Sequence, residues 1–458
     1  MGSVISIIQS TTSNISSTLK TFISLRNQLS SLLVRASSPP ALPVPTPTSS
    51  YWLDDPPFPA LCDIQADLPK EADVVIIGSG ITGAAVAKSL LELSDDSELK
   101  VVVFEARQLC SGATGRNGGH IKCTPYEEFA LYRQKLGPEN ARRVVRFKRK
   151  HLEVLKQIGE RVPEGEAREV QTVDLFLERN DFEKAKHEVE EMKKWLPEEE
   201  ARVWEAEEVR KEFGANELVI GGISYSAGAL WPYRLVTGVW NDLIGRFSNL
   251  SINTNTPVES ISSEGSTYTV KTPAEHSRPS IPGFDYVTQR PDREDGTPGD
   301  LMIGGGFFRS RQQGLDQVGI WDDSQVHALP LMHVRGVMPT VFEPQWGEGS
   351  KFVKAWTGIL GFTGDLMPFV GPVPGRRSST PSSGEWVAAG FNGEGMVWAW
   401  LCGTALAVMV LGKEEQNLDK GVGRPGGKLD EWFPRDILSV DGARLKRAKV
   451  ANLADLTS

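Results

Sequence analysis

The stretch Glu71-Ala72-Asp73-Val74-Val75-Ile76-Ile77-Gly78-Ser79-Gly80-Ile81-Thr82-Gly83 decides the fold of this chain. A β-branched apolar run ends in Gly-x-Gly-x-x-Gly, and residues 84–93 continue with helical character. Strand, tight turn and helix in this order form the unit that binds a dinucleotide. Gly78 allows the turn, Gly80 lets the backbone approach a pyrophosphate, and Gly83 lets helix and strand pack closely. Ile81 and Thr82 open the helix, whose first N–H groups lack intrahelical partners and carry partial positive charge toward phosphate. A second apolar strand, Val101-Val102-Val103-Phe104, ends at Glu105, where an acid accepts hydrogen bonds from a ribose. Glycines in turns are common; this matched context is what gives the pattern its meaning.

Beyond Glu105, Ala106-Arg107 leads into a loop rich in glycine and short polar side chains: Gly112, Thr114, Gly115, Arg116, Asn117, Gly118, Gly119 and finally His120. Such density suits a backbone that must approach a flat or phosphorylated ligand, and the Arg116 guanidinium fits phosphate oxygens. His120 is the candidate base at the far end of the loop, against the plainer reading of a side chain that hydrogen-bonds the loop. Far along the chain, Trp386-Val387-Ala388-Ala389-Gly390-Phe391-Asn392-Gly393-Glu394-Gly395-Met396 repeats the opening logic. A short strand enters a Gly-x-Gly turn and a long apolar helix over 397–411 leaves it. A second helix N-terminus places N–H groups against an electron-rich carbonyl that gains negative charge when a ring is reduced.

The 458 residues leave room for two or three domains. A net charge of −9 without a basic block excludes non-specific nucleic-acid binding. Cys62, Cys110, Cys123 and Cys402 have no metal-ligand spacing and are too sparse for a disulfide framework, which fits a reducing, cytoplasmic compartment and no bound metal. No apolar run reaches the roughly eighteen residues of a membrane span. Residues 1–50 carry no acid and are rich in Ser and Thr, with Lys20, Arg26 and Arg35 as the cations. They read as a disordered leader or as a mitochondrial transit peptide. Met1-Gly2-Ser3-Val4-Ile5-Ser6 also fits N-myristoylation, which would allow weak membrane association. A proline-rich linker covers 39–47.

Between the two glycine motifs, 126–160 reads as two helices broken at Gly137-Pro138. The charged stretch 182–213 reads as a solvated helix interrupted near Leu196-Pro197. A helix over 233–247, strands at 252–254, 268–271 and 301–306, and a short strand at 284–287 follow. Strand and turn are expected over 333–374, with His327 and His333 structural and the later tryptophans in the core.

With these segments in order, the sequence resembles the D-amino-acid oxidase-like family of FAD-dependent oxidoreductases, in the fungal and bacterial branch that looks like gamma-glutamylputrescine oxidoreductase. The carrying residues are Val75 through Gly83, Glu105-Ala106-Arg107, Ser111 through His120, Gly361-Phe362-Thr363-Gly364-Asp365 and Gly390 through Met396. The resemblance implies an α/β fold with a discontinuous Rossmann-like FAD domain of glutathione-reductase type and a substrate domain of antiparallel sheet plus helices. It assigns 71–125, 217–265 and 385–412 to the FAD domain, 126–216 and 266–384 to the substrate domain, and 413–458 to an extension. It implies that Gly78, Gly80, Ile81, Thr82 and Gly83 serve the pyrophosphate and Glu105 the ribose. Ala106, Arg107, Val258 and the 114–120 loop join them as cofactor residues, with Asn392, Gly393, Gly395 and Met396 at the pyrimidine end of the flavin. The implied reaction is oxidation of a C–N bond of a small amine or amino acid, with oxygen reoxidising the flavin. No Cys lies in 356–365, so covalent attachment of flavin there is not expected.

The chain departs from the family in one place. Where relatives carry a strand of the type Val-Val-x-Ala-Thr/Ala-Asn/Gly, Val270-Lys271-Thr272-Pro273 runs almost directly to Pro282-Gly283-Phe284-Asp285-Tyr286. Loss of a buried parallel strand leaves backbone groups unpaired and a gap in the core, so a non-catalytic remnant with impaired FAD affinity competes with the oxidase reading. An NAD(P)-dependent dehydrogenase fits less well, because it needs neither the 111–120 loop nor the 390–396 turn.

Overall fold

The computed structural model describes residues 42–264, 267–271, 285–312, 314–344, 346, 350–374 and 384–448, with short pieces between 23 and 35. Strand β1 (Val74–Ile77) enters the Gly78 turn at φ +102, and α1 (Ile81–Leu93) leaves it toward β2 (Val101–Phe104). The loop after β2 ends in a two-residue strand, β3 (His120–Ile121). Next come α2 (Pro125–Leu136) and α3 (Pro138–Gly159), broken where Gly137 adopts φ +79 and Pro138 begins a new helix at the position that has no N–H to lose. The chain continues through β4 (Arg168–Phe176), α4 (Arg179–Trp195), β5 (Arg202–Glu205), α5 (Ala206–Phe213), β6 (Gly221–Ala229), α6 (Pro232–Arg246) and β7 (Leu250–Asn253). Two hairpins follow, β8 (Ser260–Glu264) with β9 (Thr267–Lys271) and β10 (Tyr286–Gln289) with β11 (Leu301–Gly304). Helix α7 (Ala328–Phe342), the antiparallel pair β12 (Phe369–Pro372) and β13 (Trp386–Ala389), and α8 (Ala399–Val410) come next, and three short helices over Leu429–Trp432, Arg435–Leu438 and Gly442–Arg447 close the order.

Two sheets frame the molecule. The first is parallel, ordered β1-β2-β7, with Val74 opposite Val101 and Val101 opposite Leu250. The second is antiparallel: β4 pairs the full length of β6, and β3 and β5 pair opposite ends of the same strand. This is the mixed α/β architecture expected, and β3 shows how its halves connect. The cofactor loop leaves β2 and, at His120, becomes a strand of the second sheet, His120 pairing with Ala229.

Four elements differ from the sequence reading, the first being α7, which makes helix of 333–342 where strand and turn were expected. The charged stretch after α4 does not resume directly as helix but first forms β5, which pairs with Gly221–Ser224 of β6. The glycines of β6 also let helices pack closely on it: a Cβ at Gly221 would meet Phe182 of α4 at 2.3 Å. Over 350–363 there is no strand, despite alternating aromatic and β-branched residues. Its polar groups are satisfied by other loops instead: Thr357 N–H donates to Thr48 Oγ1 at 3.0 Å, Trp356 Nε1 to Arg116 O at 2.9 Å, and Gly361 O accepts from Asn392 N at 2.8 Å. Finally, the end of the proline-rich linker and the residues just after it are seated on the molecule, Val44 O accepting from Arg107 Nη1 at 3.4 Å. Thr48 donates its N–H to Asp323 O at 2.7 Å, and Trp52, 1 % exposed, donates Nε1 to Asn117 O at 2.5 Å.

Of the sequence that should have carried the absent strand, 272–284 lies outside the described residues. Among the described residues β1 is the edge of its sheet, and Val75 and Ile77 are 37 % and 54 % exposed. By contrast Val101 and Val103 of β2 are fully buried.

A Cβ at position 83 would lie 2.1 Å from Gly78 O, and that neighbour is backbone. Gly83→Ala is therefore expected to destabilise the protein by about 3 kcal/mol in urea unfolding. A loss below about 1 kcal/mol would show that α1 can move off β1 freely.

Candidate FAD cleft

The C-terminal end of the parallel sheet opens into a cleft of about 1740 Å³ that reaches the antiparallel sheet. Single-ligand pockets occupy roughly 300–1,000 Å³, so this space has room for a dinucleotide and a small second molecule. Of the residues expected at the cofactor, Gly78, Gly80, Ile81, Thr82, Glu105, Thr114, Arg116, Asn117, Gly118, His120, Asn392, Gly393, Gly395 and Met396 line it. Gly83, Ala106, Arg107, Gly115, Gly119 and Val258 are not in its wall. Gly83 instead packs α1 on the Gly78 turn, and a Cβ at Gly115 would strike Cys110 O at 2.8 Å.

At the first glycine motif, Thr114 Oγ1 accepts from Ile81 N at 2.9 Å and lies 2.9 Å from where a Cβ of residue 80 would be. The Thr82 and Gly83 N–H groups make no backbone hydrogen bond, so the positive end of α1 is open to an anion. Glu105 is buried and held in place: Oε2 accepts from Ser79 N at 2.9 Å and Ser79 Oγ at 2.6 Å, and Oε1 from Arg107 N at 3.0 Å. Its remaining lone pairs can still accept from ribose hydroxyls.

The two arginines have other work. Arg107 Nη1 contacts both oxygens of buried Asp323 at 3.0 and 3.1 Å. Arg116 reaches the same carboxylate with Nε at 3.4 Å and donates to Ser111 O, Thr48 Oγ1, Thr48 O and Thr357 O. Rather than offering a free fork to phosphate, Arg116 rivets the 42–50 segment and the 350–363 segment onto the loop. Burial holds its pKa below the usual value, and the Asp323 charge opposes that shift.

At the other end, Asn392 (φ +55) and Gly393 (φ +79) make the turn ahead of α8. The N–H groups of Gly395 and Met396 make no backbone hydrogen bond, and buried Asn392 Nδ2 has no partner. Unspent donors on a cleft wall are what an acceptor-rich ring edge requires, so the residues here fit FAD. The first turn of α8 itself is partly spent: Leu401 N donates to His151 Nε2 at 3.2 Å, while His151 Nδ1 donates to Phe147 O at 3.1 Å. The donors left for a cofactor are those of the turn preceding the helix.

His120 joins the loop to β10, its Nε2–H donating to Val287 O at 3.0 Å and touching the Thr288 hydroxyl. Tyr286 meets its ring edge-on at 4.8 Å. Burial pushes its pKa down to about 4, so the ring is neutral near pH 7 and poorly suited to hold a proton as a base. Past His120, Lys122 and Thr124 continue the cleft wall. Lys122 Nζ pairs with Asp174 at 2.7 Å, and Asp174 also accepts from Tyr126 and Tyr225 at 2.9 and 2.8 Å.

Sequence reasoning missed a buried triad. Lys148 of α3 is fully buried; its Nζ lies 2.8 Å from Glu394 Oε2 and also pairs with Glu128. Glu394 sits within the 390–396 turn, and an acid between two turn glycines, needed by no turn geometry, was the available signal. Breaking such a buried pair costs about 3–5 kcal/mol. Burial raises the Glu128 pKa to about 7, and the two carboxylates raise that of Lys148 against its own desolvation. Among the described residues there is no cluster of His, Cys, Asp and Glu that could hold a metal, and no helix long and apolar enough to cross a membrane.

Comparisons with known proteins bear on the family and the fold. A family model, DAO, FAD dependent oxidoreductase, matches residues 73–282 and 237–409. Gamma-glutamylputrescine oxidoreductase of Escherichia coli K12 is 26% identical over 169 residues, 36% of this chain and 38% of that protein. The chain thus spans well under half of that relative. Glycine oxidase from Bacillus cereus superposes with TM-score 0.53 at 16% identity, over 76% of this chain and 97% of that one. L-amino acid deaminase from Proteus myxofaciens superposes with TM-score 0.54 at 16% identity, covering 82% and 96%. At such identities the structural likenesses establish the fold.

His151 gives this region a pH dependence. Its pKa falls from the ordinary 6.5 to about 4, chiefly through burial. The unfolded chain takes up the proton near 6.5 and the folded one only near 4, so the contribution is complete above pH 6.5 and lost as pH falls toward 4. The stability difference between wild type and His151→Asn is expected to shrink by about 3 kcal/mol over that range. A difference independent of pH would refute a neutral, buried His151.

Proposed function

The chain belongs to the DAO family of FAD-dependent oxidoreductases, and on that premise we propose that it oxidises a C–N bond of an amine or amino acid, with oxygen as electron acceptor. The observation that carries this reading is one continuous cleft. It runs from the N-terminus of α1, past His120, to Lys122 and Thr124 on the antiparallel sheet. A dinucleotide held by the Thr82 and Gly395–Met396 donors leaves the sheet side for a small molecule. The names of the similar proteins, which act on gamma-glutamylputrescine, glycine and L-amino acids, point to the same bond.

When bound, FAD supplies the acceptor for a hydride from the carbon beside nitrogen. The chain's own residues supply the rest. The amine must be neutral for hydride to leave, and neutral His120 adds no positive charge beside it. His120 and Tyr286 close the cleft wall around Gly118, where a Cβ would meet Tyr286 at 2.2 Å. Lys122 keeps donors beyond the one given to Asp174 and can orient an acidic group of the substrate. Balanced, the amine, oxygen and water give a carbonyl compound, the released amine or ammonia, and peroxide.

A second reading, a flavoprotein remnant that holds its cofactor weakly, is favoured by the edge of β1 that is bare among the described residues, next to the pyrophosphate turn. It predicts a thermal midpoint that does not move when FAD is added.

The test is an anaerobic titration of the FAD-loaded protein with amines, amino acids and gamma-glutamyl amines. At least one is expected to bleach the flavin, and in air to yield peroxide and carbonyl product in equal amounts. His120→Gln is expected to cost less than about tenfold in kcat/KM, whereas loss of a general base costs about 10²–10⁴-fold. No bleaching across the panel would sink the proposed substrate class, and a larger loss in His120→Gln would restore His120 as the base.

A further inference from the structure

We propose that Lys148 is a positioning residue for the cofactor cleft, its single buried ammonium fixing both walls between which FAD is held. This rests on the FAD reading above. Lys148 lies in the middle of α3, behind the cleft and outside its lining. It is fully buried, with Tyr132 Oη at 3.5 Å and the rings of Tyr132 and Trp398 at 5.7 and 5.2 Å. One carboxylate would neutralise it; two are present, and they belong to different walls.

Glu394 belongs to the C-terminal wall. Its N–H donates to Phe391 O at 2.9 Å and its carbonyl accepts from Val397 N at 3.0 Å, so the residue closes the turn whose next two N–H groups are unspent. Its side chain pairs with Lys148 at 2.8 Å, and the residue lines the same cleft as those donors. Glu128 belongs to the opposite wall. Its Oε1 accepts from Thr124 N at 3.0 Å and its Oε2 from Cys123 Sγ at 3.2 Å, at the end of the segment that carries His120 and Lys122. Without the ammonium, two largely buried carboxylates would face each other. Each would pull its own wall toward solvent. Gly395, Met396 and Thr124 would then lose their common register, and the cleft would lose its width.

A salt bridge that only stabilises α3 would lower the melting temperature and leave the cofactor unaffected. The two cases separate in a cycle of Lys148→Met, Glu394→Gln and the double variant. Each is read by FAD titration of the apoprotein, by the reduction midpoint of bound flavin, and by thermal unfolding. Lys148→Met is expected to weaken FAD binding by about tenfold or more and to shift the midpoint. Adding Glu394→Gln should recover most of both, because no uncompensated charge is left at the turn. Wild-type affinity and midpoint in Lys148→Met, with only the thermal midpoint lowered, would overturn the proposal. Should Lys148→Met fail to fold, Glu394→Gln alone keeps the Lys148–Glu128 pair. It is expected to weaken FAD binding with little change in unfolding, and unchanged affinity would overturn the proposal. A wild-type chain that takes up no FAD would remove the FAD reading itself, an outcome distinct from a failure confined to the variants.

Discussion

The structure depends on the close approach of α1 and α8, helices that follow the two glycine turns more than three hundred residues apart in sequence. A Cβ at Gly403 would come within 2.7 Å of Thr82 O and 2.9 Å of the Ala85 side chain, so only glycine permits the contact. Ala84, Ala85 and Ala87 of α1 are wholly buried, and short side chains there let the axes approach. Because Thr82 sits at the open end of α1 and Gly403 one turn into α8, this contact also sets the distance between the two groups of unspent N–H donors. The cofactor cleft is thus a consequence of helix packing before it is a matter of ligand chemistry.

Charge is arranged around that frame by long-range pairs. Asp323 gathers Arg107 and Arg116 and, through its carbonyl, Thr48, so loops from three parts of the chain meet over the 106–120 loop. Lys148 does the corresponding work beneath the C-terminal turn. In both places a buried ion pair is justified by the segments it brings together more than by net stability, since such pairs return little once desolvation is counted. His151 serves in a third way, giving the first turn of α8 a neutral acceptor where water cannot reach.

What could be read from the sequence was local. Gly78, Gly80, Thr82, Glu105, Thr114, Asn117, Asn392 and Gly395 follow from turn conformation, helix ends and the strand-turn-helix order, and all reach the cleft. The α/β class and the break at Gly137-Pro138 were legible for the same reason. Arg116 was recognised as functional, but its partners Thr48 and Asp323 lie 68 and 207 positions away, so its use as a rivet could not be inferred. Lys148 lay in the second of the two helices read over 126–160 with nothing local to mark it, and Glu394 stands 246 positions from it. The 350–363 segment has strand-like composition but pairs with no strand among the described residues, and its polar groups are met by the loops it touches. The departure after Lys271 is legible in both: a strand expected from the resemblance, and an uncovered edge of β1 in the described residues.

The central claim is that the two turns, set by α1 and α8, form a working FAD site although β1 has no outer neighbour among the described residues. The direct measurement is the visible absorption spectrum of the purified, desalted chain, with flavin quantified against protein. The account predicts flavin bands at close to one FAD per chain. A soluble, folded protein that remains colourless after incubation with FAD and desalting would contradict it.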